Sequence, residues 1–570
     1  MVPTRPGTIR DGSIPFSQSL VIMPLSAQPS RNSLWRRPEI GPLALNVAVA
    51  TYLLVLCNTT FWRKLGKIFA GDPGHVMLFG AAVAMLTLFT LMVFTVPRLH
   101  RPVLALLILV SSAAAYHQDR LGIVIDREMV QNIMRTSVSE SKQLLSPSLV
   151  IHVLLTGVLP ALLIFVPRLR YPRLRHVLWR WPLSLALTFA LFAGFLFTDF
   201  KAFSAAIREH RDLMAAYQPG ATIAAVTRYA KQELRAQNIK ATPLGTDATK
   251  GPRLTRAGKP VLTVVFAGET ARAQNFGLNG YARDTTPGLR TRNVVNFPDA
   301  SSCGTSTAVS LPCMFSNLTM DGYSHTKFVG TENLLDVLTH AGIKVEWWDN
   351  NTGDQTIAKR LGWTRIDKNF DPAACAEGEC TDQALVTLID QKLKTITEDT
   401  VLVLHMIGSH GPSYYQRYPR AFAQFKPECT TTEFTQCTPE QITNTYDNTI
   451  LFTDHVLSQA IDLMQAQDRV VPALLFMSDH GESLGENGLY LHAAPRFMAP
   501  ETQTKVPFVM WLSPLYQRSM GITADCLQGK TSQPVSHDNL FHTVLGLMDV
   551  QTTVRNPDLD LTAGCTAAAG

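Results

Sequence analysis

The sequence predicts two joined parts: an N-terminal domain of five membrane-spanning helices, and a larger exported α/β domain built on a mainly parallel sheet. Three observations carry this prediction. Charged residues make up only 17% of the 570 residues, against roughly 25% in soluble domains, and the deficit sits in the first 200. Five apolar segments follow one another at 42–62, 76–96, 102–117, 148–166 and 181–199, each at or near the ~20 residues that cross a bilayer. Beyond residue 260, apolar β-like runs alternate with amphipathic helix patterns, as in parallel sheets with crossover helices.

Residues 1–40 are polar and rich in Pro and Ser, a composition that reads as a cytoplasmic tail without fixed structure. The first apolar segment starts too late for a cleavable signal peptide. A buried core helix is an alternative reading of any one of the five segments; five in succession favour a membrane domain over 41–200. The third is short and the weakest of them. Arg31, Arg36 and Arg37 precede the first segment, Arg98 and Arg101 separate the second and third, and five arginines from Arg168 to Arg180 separate the fourth and fifth. The positive-inside rule puts these on the cytoplasmic side, so everything after about residue 200 lies on the far side. Arg63, Lys64 and Lys67 run against the rule and are expected on an interfacial helix facing anionic headgroups. The net charge of +6 includes no long basic block, which argues against a nucleic-acid partner.

Cysteine usage tests the topology independently. Cys57 stands alone in the first segment, and the other eight cysteines follow residue 300. Cys303/Cys313, Cys375/Cys380 and Cys429/Cys437 form close pairs, and Cys526 with Cys565 is a further candidate bridge. Disulfides need an oxidising compartment such as the periplasm, which is where the topology sends this half of the chain.

Residues 201–260 read as a helical connector followed by a polar, Pro/Gly-containing linker. From 261 to 570 the pattern is that of one globular domain. Four of its apolar runs end in polar clusters: at Glu269-Thr270, at Asp349-Asn350-Asn351, at Ser409-His410, and at Asp479-His480. Ligands of open α/β sheets bind at the carboxyl ends of the strands, so these four ends are expected to meet. Glu269, Asp479 and His480 offer oxygen and nitrogen ligands suited to zinc, which takes four, leaving one position open. The hydroxyl-rich stretch Ser302 to Ala308 offers candidates for that position, ahead of a helix over 308–318 whose N-terminus favours a phosphate. A metal would lower the pKa of such an alcohol enough to make it a nucleophile. Read singly, this stretch is an ordinary helix cap and the Asp-His pair a solvated turn.

At these motifs the chain resembles the lipid A-modifying phosphoethanolamine transferases, the colistin-resistance type included, of the alkaline phosphatase/sulfatase superfamily. The resemblance rests on Gly268-Glu269-Thr270-Ala271-Arg272, Asn279-Gly280-Tyr281, Ser302 to Thr307 with Pro312-Cys313-Met314-Phe315-Ser316, Ser409-His410-Gly411-Pro412, and Ser478 to Glu486 with Tyr490-Leu491-His492. It covers both the membrane part and the exported part. It implies an alkaline phosphatase/sulfatase-like fold for residues 261–570, with Thr307 as nucleophile. It implies zinc held by Glu269, Asp479, His480 and the Thr307 oxygen. His410 and His492 match histidines that bind the substrate phosphate or a second zinc, or protonate a leaving group. Asn351 and Thr352 match polar residues near the donor headgroup. The family often has a lysine where this chain has Gln355, which keeps hydrogen bonding but loses the charge; Lys359 is the nearest replacement in sequence.

The implied reaction is a two-step transfer. Thr307 takes phosphoethanolamine from phosphatidylethanolamine, and a lipid A phosphate then takes it from Thr307. The added amine offsets phosphate charge and weakens attraction for cationic peptides such as polymyxin. The implied setting is the bacterial inner membrane, with a monomeric enzyme whose catalytic domain faces the periplasm. Alternatives are a related transferase with a phosphoglycerol donor, one acting on a core sugar or a periplasmic glucan, and, from another class, a non-catalytic membrane receptor. No sulfatase-type Cys or Ser stands at the Thr307 position.

Overall fold

Each of the five apolar segments falls on a helix in the computed structural model, which describes residues 37–135, 144–237, 239–375 and 379–566. Residues 1–36 of the expected tail lie outside the described residues. The first segment is broken: α1 (Pro42–Leu56) and α2 (Thr59–Ile68) meet at a 67° bend. Asn58 accounts for the break. Its amide donates to the Leu53 carbonyl at 2.9 Å and the Gln218 carbonyl at 2.8 Å, and its oxygen accepts from Gln218 N at 2.8 Å. The end of α1 is thereby satisfied by a side chain rather than by another turn of helix. Arg63, Lys64 and Lys67 stand on the separate helix α2, and Lys64 pairs with Asp212.

The remaining segments lie on α3 (Pro73–Val93), α4 (His100–Leu121), and, after α5 (Arg127–Arg135), on α6 (Pro147–Leu163) and α7 (Leu174–Phe197). Asp72 caps α3 by accepting from His75 N at 3.1 Å. The middle of α6, Leu154–Val158, is π-helical, and there Tyr52 donates to the Thr156 carbonyl at 2.5 Å. Leu183, Leu187 and Phe189 of α7 are exposed, as suits a helix facing hydrocarbon. Among the described residues, Pro73–Val93 and Arg175–Phe197 are long and apolar enough to cross a membrane, and a third span results if the bent pair counts as one. The expected five crossings are therefore not reached on length and composition: the first segment is bent, α6 is shorter than eighteen residues, and α4 carries His100, Arg101, Asp119 and Arg120 near its ends.

Two short helices, Phe200–Glu209 and Arg211–Ala215, and then α8 (Gly220–Ala236) lead to the C-terminal half. Residues 249–250 pair with 550–551, and Asp247 accepts from Thr552 and Thr553, so this stretch runs along the surface of the C-terminal domain.

That domain is built on eight strands: β1 (Val261–Gly268), β2 (Val295–Ser301), β3 (Lys344–Asp349), β4 (Thr364–Arg365), β5 (Thr400–His405), β6 (Val471–Ser478), β7 (Lys505–Leu512) and β8 (Val535–Ser536). Their order is β8-β2-β7-β6-β1-β5-β3-β4. All pairings are parallel except those of β7 with β2 and β6. β1 and β6 are buried at every residue, which explains their unbroken apolar runs. One face is covered by Leu334–His340 and Asp538–Leu547, and the other by Gln383–Leu393 and the 27-residue helix Pro439–Gln465. A short helix α9 (Thr307–Met314) follows β2.

Four disulfides join Cys303–Cys313, Cys375–Cys380, Cys429–Cys437 and Cys526–Cys565, while Cys57 is free and buried. β6, β1, β5 and β3 are neighbours in that order and mutually parallel. The four polar strand ends named from the sequence therefore lie along one edge.

Candidate active site

Glu269 leaves β1, and Asp479 and His480 leave β6 beside it. Local backbone geometry aims them. Thr270 adopts φ +57°, a left-handed conformation that costs a β-branched residue energy. Its N–H donates to Asp479 Oδ1 at 3.1 Å, and its hydroxyl donates to Glu269 Oε1. Gly408 closes over the same turn with φ +49°, and a Cβ there would lie 2.5 Å from the Glu269 carbonyl oxygen, so only glycine fits.

Glu269, Asp479 and His480 are buried, and one ligand atom from each lies within 4.8 Å of the others. His480 Nε2 is 3.3 Å from Asp479 Oδ2 and 3.4 Å from Glu269 Oε1. Thr307, the first residue of α9, brings its Oγ1 to 3.4 Å from the same nitrogen and donates to Glu269 Oε2 at 3.0 Å. Ligand atoms about 2.0–2.1 Å from a tetrahedral zinc stand roughly 3.3–3.4 Å apart, so the donor set and its spacing fit that ion. Two further observations agree. Asp479 Oδ2 is buried without any hydrogen-bond donor, although buried acceptors are nearly always satisfied. His480 Nδ1 is 2.9 Å from the Gly481 carbonyl, which makes Nδ1 the protonated nitrogen and leaves the Nε2 lone pair facing the carboxylates.

The electrostatics are those of a cation site. Burial and the Glu269 charge push the Asp479 carboxyl well above its usual range. Burial, with help from His492, pushes His480 down to about 3, so it is neutral. Burial works against ionised Glu269 too, but the His405 hydrogen bond and the nearby histidines hold it below the usual carboxylate range. His405 is fixed by Asp349 at 2.7 Å, and burial, which opposes its charge, is outweighed by that carboxylate, lifting it to about 10. Asn351 donates to Glu269 Oε2 at 2.7 Å and to the Met406 carbonyl at 3.0 Å.

The His492 ring lies 4.5 Å from the His480 ring, tilted by 42°, and His410 is 5.5 Å from His492. Burial again opposes charge on His492, but Glu482, 2.9 Å from Nδ1, outweighs it and raises His492 to about 9. Tyr414 donates to the other Glu482 oxygen at 2.5 Å. The His492 segment is stitched to the threonine loop: Ala493 N donates to the Thr305 carbonyl at 2.7 Å, and Thr305 Oγ1 donates to the Ala494 carbonyl at 2.6 Å. His537 ties that loop to β6, accepting from Cys303 N at 3.1 Å through Nδ1 and donating to the Ser478 carbonyl at 3.0 Å through Nε2.

Thr352 and Gln355 lie farther out. Gln355 is buried with φ +48°, donates to Thr352 Oγ1 at 3.1 Å, and accepts from Arg135 of α5 at 3.1 Å. Arg135, and not Lys359, is thus the cation bonded to Gln355; Lys359 is exposed on the wall of a cavity that both cations line. The sequence reading missed His405, Glu482, Tyr414, His537 and Arg135 as parts of the site. Glu482 lay inside a quoted motif, but its partners Tyr414 and His492 are set by the fold.

Comparison with known proteins bears on the family. The family profile described as Phosphoethanolamine transferase EptA/EptB matches residues 83–234, and the Sulfatase profile matches residues 262–550. The chain is 37% identical to phosphoethanolamine transferase EptA of Escherichia coli K12 over 541 residues, covering 93% of this chain and 98% of that protein. It is 33% identical to phosphatidylethanolamine transferase Mcr-1 of Escherichia coli over 536 residues, 91% of this chain and 97% of the other. The solved structure of the integral membrane lipooligosaccharide phosphoethanolamine transferase A from Neisseria meningitidis is similar with a TM-score of 0.88 at 34% identity, covering 93% of this chain and all of that one.

Proposed function

Because the chain belongs to the phosphoethanolamine transferases of the EptA/EptB family, within the alkaline phosphatase/sulfatase superfamily, we propose that it moves phosphoethanolamine from phosphatidylethanolamine to a phosphate of lipid A at the outer face of the inner membrane. Thr307 carries the group between them. The observation that supports this most is the Thr307 hydroxyl, buried at the start of α9 and in reach of Glu269 and His480 at once. Glu269, Asp479, His480 and Thr307 hold zinc in this reading. When bound, zinc lowers the pKa of the Thr307 hydroxyl and offsets charge on the transferring group.

The residues divide the work. Thr307 Oγ1 gives its proton to Glu269 Oε2, its hydrogen-bond partner, and forms a bond to the donor phosphorus. The bond from phosphorus to the glycerol oxygen breaks, and protonated His492, steadied by Glu482, gives that oxygen a proton as diacylglycerol leaves. In the second step an oxygen of the lipid A phosphate bonds to phosphorus. The Thr307–phosphorus bond breaks, Thr307 recovers its proton from Glu269, and neutral His492 takes the proton of the incoming phosphate monoester, which restores both groups. His410 and the Asn351–Thr352–Gln355 loop bind the phosphate and headgroup. The product gains an ammonium, which lowers the attraction of the surface for cationic peptides such as polymyxin.

Thr307→Ala leaves the protein folded and removes the phosphoethanolamine adduct from lipid A, read by mass spectrometry in a host without its own transferase. An unchanged adduct would sink the assignment of Thr307.

A further inference from the structure

Arg63, Lys64 and Lys67, the residues that run against the membrane charge rule, take no part in the centre described above. They line one wall of a cleft of about 730 Å³ between α2, the end of α4 and the exported domain. The opposite wall is the segment Glu486–Tyr490, which leads two residues later to His492. The end of α4 abuts this segment: a Cβ on Gly122 would lie 2.9 Å from the Gly488 carbonyl oxygen.

A charge inventory of the cleft leaves a surplus. Lys64 pairs with Asp212, Thr60 donates to Asp119 at 2.5 Å, and Glu486 faces Arg272 at 2.6 Å. Arg63, Lys67 and Arg120 have no ion pair among the described residues, and His210 lines the same space. Among the described residues, Asp119 is the one carboxylate of the lining outside an ion pair. Three guanidinium or ammonium groups thus face a space large enough for sugar rings, whose far wall leads within two residues to His492.

We propose that this cleft takes the phosphorylated sugar headgroup of the acceptor and holds the phosphate that is not being modified; the proposal rests on the transferase reading above. The donor is a poor fit. Its headgroup has one phosphate, which is needed at Thr307, and an ammonium that the cleft repels. A bis-phosphorylated disaccharide has a phosphate to spare at its other end, and the cleft wall Glu486–Tyr490 adjoins His492 in the chain. Lysine and arginine at such a site act through charge and hydrogen bonds to phosphate oxygens.

The test uses the full chain in lipid vesicles, with bis-phosphorylated lipid A and with whichever monophosphoryl form still accepts. The wild type should show a KM about tenfold lower for the bis-phosphorylated acceptor. R63Q/K67Q/R120Q should raise that KM about tenfold and abolish the discrimination, while diacylglycerol release from phosphatidylethanolamine without acceptor holds. A wild type that treats both acceptors alike overturns the proposal without any variant. A triple variant with an unchanged acceptor KM, or one that loses donor and acceptor steps equally, overturns it too, the latter by reducing the basic residues to a general hold on an anionic surface. Failure of the wild type to release diacylglycerol at all would instead refute the transferase reading.

Discussion

Asp479 Oδ2 and Nε2 of His480 are 3.3 Å apart with no proton donor on the carboxylate oxygen, and this pair, with Glu269, was named from the sequence as a candidate ligand set. An adjacent acid and imidazole at a strand end reads equally as a solvated turn; the burial of both residues separates the two readings. Asp479→Asn keeps the size of the side chain but puts a neutral amide at the ligand position. Purified variant should carry no more than about a tenth of the wild-type zinc by elemental analysis. His405 was not legible, because it sits inside an apolar strand and reads as core; only β3 beside it supplies Asp349. Glu482 was equally silent. Glu482→Gln should leave zinc in place but lower kcat by roughly 10–100-fold, in the range of general-acid contributions. The sign of its pH effect is fixed: Glu482 keeps His492 protonated to about pH 9, so its removal moves the alkaline limb of the kcat profile to lower pH.

The elements that hold these residues are joined by side chains as well as by the sheet. His537 bridges the loop before α9 and the end of β6. Burial depresses it to about 3 from an ordinary 6.5. The unfolded chain therefore takes up this proton first as pH falls. His537 contributes stability that is full above about pH 6.5 and lost progressively toward pH 3, at a slope near 1.4 kcal/mol per pH unit inside that window. Thermal unfolding of the solubilised protein across that range should show a shallower pH slope for His537→Gln than for the wild type; equal slopes would refute the account. The parallel strands β1, β5 and β6 were legible as apolar runs of strand length. The break between α1 and α2 was not, because the Asn58 partner Gln218 lies 160 residues away. Apolar composition continues across it and reports no bend.

At the scale of the molecule, the N-terminal helices reach α9, the helix that begins at Thr307, directly. Gln131 of α5 donates to the Ala308 carbonyl at 3.1 Å and accepts from Gln232 of α8 at 3.2 Å. All three groups are buried, and stranding one costs about 1–3 kcal/mol. Gln131→Leu should therefore loosen the two halves, raising KM for both lipids several-fold with zinc content unchanged; a normal KM would show that the brace is idle. Nothing in α5 advertised this contact, since the helix reads as an ordinary amphipathic segment between apolar ones. The lone acceptor on Asp479 has a consequence of its own. In the metal-free chain, burial and Glu269 favour the acid form of Asp479, so a proton is the first tenant of the position a cation will take. Loading is then an exchange of one for the other, and the hold on the metal weakens as the surroundings acidify. On the proposed function, in the periplasm, retention of the metal would then be a competition with the protons of the medium.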